Sequence, residues 1–371
     1  MGSSKSLARF IRKLLSKGNV NESTTTVDRN VASLERNARA TLQKTLIVCG
    51  VLAIILILIS IIAATIGSER LPVADLLRGL FTGGTKTGAL TATQRAILFD
   101  IRLPRILLAA TVGASLAASG ASYQALLRNA LAEPYLLGIS NGAAVGTMVA
   151  LVFLGTNEWT RPLLAFGGAL AATFVVYRLA RGRAGATPEK LILAGVIVTT
   201  FQSSAIVFIT TLMDATRIRS FTFWLLGDLS QATPRSIWIA VAATVVGVAA
   251  LTLKARPLNL MMLGERDAFD LGVEVERVRL QVFLAASLLV GVSVALGGSV
   301  GYVGLVVPHL VRMSTSGDNR LTIPAAALAG ASFVVVADTL ARTVIAPREL
   351  PVGAITALIG APLFIYLLKR R

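Results

Sequence analysis

Carboxylates form the densest group of ionisable side chains in this sequence. Five of its 19 acidic residues fall within positions 265–276, and uncharged apolar runs lie on both sides of them. Carboxylates are unfavourable in hydrocarbon, so this segment must lie outside any membrane that the runs cross. Gly264 and Gly272 flank acids that would occupy a first helical turn, which predicts a short helix. Its partly apolar face would consist of Leu263, Ala268 and Leu271. The segment either docks on a soluble partner or is a solvated connection between two spans.

Residues for other kinds of chemistry are scarce. The chain has one histidine, His309, and one cysteine, Cys49, so it can form neither an intrachain disulfide nor a Cys/His metal cluster. It has no phosphate-binding G-x-x-x-x-G-K-[ST] loop, no nucleophile–base set and no paired carboxylates of a catalytic site. The sequence therefore predicts a protein that is not an enzyme and that binds no cofactor and no nucleic acid.

Composition indicates an all-α polytopic membrane protein. The chain is 54% hydrophobic and 15% charged, with a mean hydropathy of +0.73. One uncharged run, 280–308, would extend ~43 Å as a helix against a hydrocarbon core of ~30 Å. It contains the glycine-rich stretch 297–304, which should divide it into two helices, so we expect ten membrane spans. The uncharged runs are 46–67, 106–127, 135–157, 162–177, 191–213, 236–253, 280–308, 321–337 and 350–368.

The segments between and before the runs indicate orientation. Residues 1–45 form a basic tail whose apolar residues at 7, 10, 11, 14 and 15 have the spacing of an amphipathic helix, followed by a polar linker at 19–30. Lys and Arg are more frequent in the segments on the same side as this tail, so both termini and the acidic loop are expected in the cytoplasm. The stretch 214–235 is expected to be an interfacial or re-entrant helix on the outer side.

Three arginines are expected at the outer ends of the spans. Arg102 and Arg105 begin the second span, and Arg342 follows Asp338 by four positions. They either receive acidic groups of a partner protein or anchor the chain at the membrane interface. For Arg342 a third alternative is pairing with Asp338, as i,i+4 pairs do.

The join between the second and third spans contains residues that break an apolar pattern. Asn129, Glu133 and Pro134 lie there. Irregular backbone at membrane depth is tolerated only where it is buried or lines a cavity, so this join is either a gate or a tight loop. The preceding span is rich in small residues between Gly113 and Gly120, which permit close helix packing.

Several motifs resemble the FecCD family, the permeases of type II bacterial ABC importers for iron–siderophore complexes, haem and cobalamin. The resemblance covers residues 46–371 in order. It rests on the stretches 102–105, 124–134, 137–142, 193–195, 224–227, 263–272, 301–312, 349–353 and 360–362.

The resemblance implies a homodimer of ten-span subunits in the bacterial inner membrane. Two ATPase subunits that use ATP and Mg, and a periplasmic substrate-binding protein, would complete the importer. Its cargo would be an iron complex, with cobalamin as the alternative, while an ion-coupled carrier or a channel is a distant alternative.

The resemblance also assigns roles to residues at matching positions. The ATPase-coupling residues would be Gly264, Glu265, Arg266, Asp267, Ala268, Asp270, Leu271 and Gly272. The binding-protein docking residues would be Arg102, Arg105 and Arg342, and the gate and translocation path would include Gln124, Asn129, Leu131, Asn141 and Thr187. Two departures stand beside the gate: Ala130 replaces the usual proline, and Arg128 is a cation where the cobalamin permease has an acid.

Overall fold

The computed structural model describes residues 21–67, 91–154, 159–182, 185–230, 233–315 and 317–369, with side chains from residue 41 onward except Leu368. The amphipathic helix expected near the N-terminus falls on residues 1–20, outside the described part of the chain. Residues 49–371 form one compact unit, and all the packing that follows lies within it.

The described residues fold into helices with one small hairpin. In chain order the α-helices are α1 Asn21–Thr65, α2 Ala92–Ala96, α3 Leu103–Leu126, α4 Ile139–Val149, α5 Thr160–Ala180, α6 Pro188–Thr210, α7 Ala215–Leu225, α8 Pro234–Leu253, α9 Ala255–Leu263, α10 Glu265–Asp270, α11 Val275–Gly297, α12 Val303–Ser314, α13 Asn319–Thr343 and α14 Val352–Lys369. The π-helical turns Ile97–Arg102 and Ala150–Leu154 join α2 to α3 and extend α4, and the 3-10 turn Pro134–Leu137 precedes α4. The antiparallel hairpin pairs β1 Arg181–Gly182 with β2 Gly185–Ala186.

Six of these helices are long and apolar enough to cross a membrane: Thr41–Thr65 within α1, together with α5, α6, α8, α11 and α13. Three further apolar helices are shorter, namely Ile139–Leu154, Val303–Ser314 and Val352–Leu367. Helix α3 has 24 residues but is not among the six. A helical multi-pass protein is confirmed, while the count of ten spans stays a prediction.

The expected break in the run 280–308 is confirmed. Helix α11 ends at Gly297 and α12 begins at Val303. Gly298 takes a φ of 68°, and a Cβ there would lie 2.1 Å from the carbonyl oxygen of Trp224. Only glycine fits this left-handed turn against a neighbouring backbone.

The polar linker predicted at 19–30 is wrong over residues 21–30. These residues belong to α1, which continues for 45 residues through the first apolar run. Extending an existing helix adds one hydrogen bond per residue without a new nucleation step, so even a polar stretch made mostly of weak helix formers can join the span that follows it. The division of the chain at residue 45 stays a prediction.

The interfacial segment expected at 214–235 contains a helix, α7, whose place relative to a membrane stays a prediction. Its Trp224 is 2% exposed and stacks on Phe221, with ring centroids 6.2 Å apart.

Helix α3 is the centre of the core. It packs most extensively on α13 and also contacts α8, α11 and α12. A Cβ on Gly113 would lie 2.2 Å from the carbonyl oxygen of Gly330, and one on Gly120 would lie 1.9 Å from that of Gly304. The small residues predicted to permit close packing therefore do so, and they bring α12 and α13 into backbone contact with α3.

Candidate functional site

The acidic segment (264–272) is a short helix held between two glycines, as predicted. Gly264 is the residue before α10, and Gly272 closes it with a φ of 83°. Ala268 is fully buried, so it anchors the helix instead of contributing to an exposed apolar face. The exposed apolar side chains are those of Phe269, which is 72% exposed, and Leu271, which is 64% exposed.

Helix α9 fixes the base of the acidic segment. The side-chain amide of Asn259 donates to Asp318 Oδ1 over 2.6 Å, and Asn259 Oδ1 accepts from the backbone N–H of Asn319 over 2.9 Å. Burial favours a higher pKa for Asp318, but hydrogen bonds from Arg320 and Asn259 outweigh it and lower that pKa overall. Asp318 is therefore charged at neutral pH and ties α9 to the start of α13.

Four charged side chains form an ion network beside the acidic segment. Arg128 Nη2 and Arg279 Nη2 lie 2.7 and 2.6 Å from the same oxygen, Glu265 Oε1. Arg279 Nη1 also lies 2.6 Å from Glu276 Oε1. The Arg279 side chain is only 2% exposed, whereas those of Arg128 and Glu265 are 39% and 34% exposed. Glu265 thus points into the subunit, while Asp267 and Asp270 point outward.

Arg128 belongs to the 127–133 loop at the end of α3. Two backbone hydrogen bonds hold the loop to α3. The N–H of Leu127 donates to the backbone carbonyl of Tyr123, and the N–H of Asn129 donates to that of Gln124. Asn129 Oδ1 accepts the N–H of Leu131 over 2.9 Å, and the Leu131 side chain is 48% exposed. The structure therefore brings two of the expected gate residues, Asn129 and Leu131, to the same end of the molecule as the acidic segment.

The other expected path residues differ in their surroundings. Thr187 caps α6, directly after the β1–β2 hairpin. The side chain of Asn141 is half-buried between α4 and α6, and its amide Nδ2 donates to Ser203 Oγ over 2.9 Å. Gln124 is 1% exposed and donates to the carbonyl of Leu305 over 3.1 Å, so it joins α3 to α12 inside the subunit. Their roles in a path stay predictions.

The three outer arginines lie at the opposite end of α3, ~36 Å from the acidic segment at helical rise. Arg105 pairs with Asp338 over 2.9 Å and with Glu349 over 2.7 Å, and Arg342 pairs with Asp338 over 3.1 Å. Arg102 donates to the carbonyl of Ala64 over 2.7 Å and is 3% exposed. The pairing of Arg342 with Asp338 is thus confirmed, and docking on a partner protein stays a prediction.

Sequence reasoning missed three residues of these sites. In the sequence, Arg279 is one more basic residue just after the acidic segment, but the structure buries it against Glu265 and Glu276. Phe269 stands between acids, and its aromatic side chain was the available signal of a contact surface. Glu349 pairs with a residue 244 positions away, which no local pattern indicates.

Fold and site together define a helical multi-pass membrane protein with an acidic segment exposed at one end. The FecCD transport family model matches residues 52–370, so the chain belongs to that family. It is an ABC importer permease, and permeases of this class pair with separate ATPase subunits and carry no ATPase site of their own.

Two relatives and one solved structure show the extent of the similarity. The chain is 38% identical to the hemin transport system permease protein of Yersinia pestis over 335 residues, covering 87% of this chain and 95% of that protein. It is 42% identical to the cobalamin import system permease protein of Halobacterium salinarum over 279 residues, covering 75% of each. An inward-facing metal-chelate type ABC transporter superposes with a TM-score of 0.77 at 29% identity, covering 87% of this chain and 99% of that one.

Asp338→Asn should destabilise the protein strongly. The carboxylate is 1% exposed and faces both Arg105 and Arg342. Removing its charge leaves two largely buried cations under-compensated, at a cost of about 3–5 kcal/mol in the free energy of unfolding. Glu349→Gln is the matched control, because its side chain is 50% exposed and its pairing should contribute less than ~1 kcal/mol. Thermal unfolding in detergent measures the stability of both variants. Equally small losses of stability in Asp338→Asn and Glu349→Gln would contradict the importance of the buried pairing.

Proposed function

We propose that this chain is the membrane subunit of an importer that carries an iron complex, a ferric siderophore or haem, from the periplasm to the cytoplasm of a bacterium. The observation that carries the proposal is the acidic segment, which is anchored at its base and exposes aromatic and carboxylate side chains at its tip. Such a surface suits docking into a cleft on a soluble partner better than a solvated connection, because Leu263, Phe269 and Leu271 are all more than 60% exposed within nine positions, and grouped exposed apolar side chains rimmed by charges mark contact sites.

The partner is a pair of ATPase subunits that use ATP and Mg. Phe269 and Leu271 would enter an apolar cleft on the ATPase, with Asp267 and Asp270 at the rim and Glu265 facing back into the permease. Closure of the ATPases on ATP would move the acidic segment and switch the path between outward- and inward-facing states. Gly264 and Gly272 bound the segment and Ala268 is its buried anchor, while the exposed Arg266 would lie on the docking surface.

Two copies of the chain would form the path between them, each with ten spans and both termini in the cytoplasm. Helix α6 is compatible with this arrangement, since Leu193, Phe201 and Phe208 on it are 61%, 74% and 67% exposed and would be covered by lipid or by a second copy. Asn129, Leu131 and Thr187, at the acidic end, would form the gate on the cytoplasmic side. Gln124 and Asn141 would support the path from within the subunit.

A periplasmic substrate-binding protein would dock at the opposite end. That end has a cleft of about 480 Å³ bordered by Arg105, Arg219, Arg348 and Glu349. The cations most accessible there are Arg219 and Arg348, which are exposed. Docking through Arg102, Arg105 and Arg342 would require acids of the partner to compete with their present partners within the subunit.

Two of the comparisons support an iron complex as the cargo. One is named for hemin transport, and the structural neighbour is described as a metal-chelate type transporter. Cobalamin is the alternative cargo, because other relatives are named for its import. A large cargo that passes between two subunits meets few specific side chains, so the binding protein would set most of the specificity.

The test is uptake into liposomes that contain this chain and the ATPase encoded beside its gene, with the neighbouring binding protein outside and ATP trapped inside. Ferric siderophore, haem and cobalamin are offered in turn. ATP-dependent accumulation of an iron complex is expected, and accumulation of cobalamin alone would select the alternative cargo. Equal movement without ATP or without the ATPase would instead indicate a carrier or a channel.

Phe269→Ala should weaken assembly with the ATPase. An aromatic anchor buried at the centre of an interface typically contributes 2 kcal/mol or more, so we expect the dissociation constant to rise roughly thirtyfold. Met313→Ala is the matched control, because it removes an apolar side chain that is 49% exposed and does not belong to the segment. Binding of the detergent-solubilised permease to immobilised ATPase measures the effect. Unchanged affinity in Phe269→Ala would remove the residue from the docking surface.

A further inference from the structure

The ion network joins three separate pieces of the chain at the acidic end. Arg128 comes from the 127–133 loop, Glu265 from the acidic segment, and Arg279 and Glu276 from the first turns of α11. The network does not include Phe269 or Leu271, the exposed apolar side chains of the acidic segment. Contact with a partner therefore does not by itself explain why the network joins three pieces of the chain.

The contact with the 127–133 loop depends on an unusual backbone conformation. Arg128 has a φ of 49°, in the left-handed region that side chains other than glycine rarely adopt. Two hydrogen bonds from the flanking residues to the end of α3 hold the loop in this form. The guanidinium is thereby presented to Glu265, and Leu131 stands three positions further on in the same short loop.

The contact with α11 is stiffer than an exposed ion pair. Arg279 is almost completely buried, and the carboxylate of Glu265 is shared between it and Arg128. Separating Glu265 from Arg279 would leave the buried cation with one carboxylate partner, Glu276, in place of two, which is more unfavourable than breaking a solvated pair. Displacement of Glu265 should therefore shift its neighbours together with it.

The network also reaches the β1–β2 hairpin. A Cβ built on Gly185 would collide with the Glu276 carboxylate, so that carboxylate fills the space left by the missing side chain. Gly185 also has a φ of 88°. The hairpin ends one residue before Thr187, which caps α6. Glu276 thus sits against the hairpin and is fixed to Arg279 at the same time.

We propose that this network is the mechanical link that passes movement of the acidic segment to the 127–133 loop and to the hairpin. Arg128 is then a positioning residue: it holds the loop that carries Leu131 at a fixed place relative to Glu265. The inference rests on the proposed function, because it assumes that an ATPase moves the acidic segment. It assigns Arg128 a task that contact with the ATPase alone does not require.

Replacement of Arg128 tests the link. Arg128→Gln should retain assembly with the ATPase and its hydrolysis rate, while uptake per ATP hydrolysed falls roughly fivefold to tenfold, as expected for the loss of one coupling contact. Arg128→Lys, which keeps the charge, should show uptake per ATP hydrolysed between that of Arg128→Gln and that of the wild type. Arg277→Gln is the matched control, since Arg277 pairs over 3.1 Å with Glu274 in its own turn and does not bridge two segments. It should retain the wild-type ratio.

The outcomes separate the two proposals. Without ATP-dependent uptake by the wild-type complex, the proposed function fails, whatever the variants do. With wild-type uptake present, an unchanged ratio in Arg128→Gln overturns the link. A fall in hydrolysis and in thermal stability, in parallel with uptake, also overturns it, because a merely structural role would lower all three. Gly185→Ala, which displaces Glu276, provides a second variant and should lower the same ratio.

Discussion

A single carboxylate oxygen of Glu265 receives two guanidinium groups from distant parts of the chain, one largely buried and one at the surface. Arg279 is almost completely buried and is paired with both Glu265 and Glu276, so the contact with Glu265 favours an inward orientation of that side chain and fixes how the acidic helix is seated. The outward face of the helix, with Phe269 and its neighbouring carboxylates, follows from that constraint. The seat of the segment and the surface that it presents are therefore two consequences of the same ion pair.

Helix α3 provides the frame for both ends of the molecule. Its glycines allow α12 and α13 to approach at backbone distance, and its two ends carry separate charge clusters. At one end Arg128 faces Glu265, and at the other Arg105 shares Asp338 with Arg342. The clusters differ in exposure: Asp338 is buried within the subunit, whereas the network around Glu265 borders the surface. A contact that can respond to a soluble partner is thus found at the acidic end.

Much of the fold could be predicted from the sequence, because hydrocarbon imposes a strong pattern on it. Apolar runs marked most of the long helices, the glycines after residue 296 marked a break, and Gly264 and Gly272 marked a short helix. Local polarity misled at 21–30, where a helix continues through a stretch that reads as a linker. The polarity of a segment indicates whether it lies in water or in lipid. It does not indicate whether a neighbouring helix continues through that segment.

The site was less predictable, because its contacts join positions far apart in sequence. The approach of Arg105 to Glu349, or of Arg128 to Glu265, depends on how α3 packs, and spacing along the chain carries no trace of it. The residue types at Arg102, Arg105 and Arg342 indicated charge at one end of the spans. Their partners, which decide whether that charge is accessible, required the structure.

Cross-linking the acidic segment to the 127–133 loop tests most directly whether the two move as one body. Arg128→Cys and Arg266→Cys would be combined with Cys49→Ser, which leaves Glu265 and Arg279 in place. Joining the two thiols with a short bifunctional reagent should raise ATP-driven uptake above that of the unjoined variant, because a covalent bridge replaces the lost ion pair. If joining them stops uptake, the segment and the loop must separate during transport, and the link through Arg128 is contradicted.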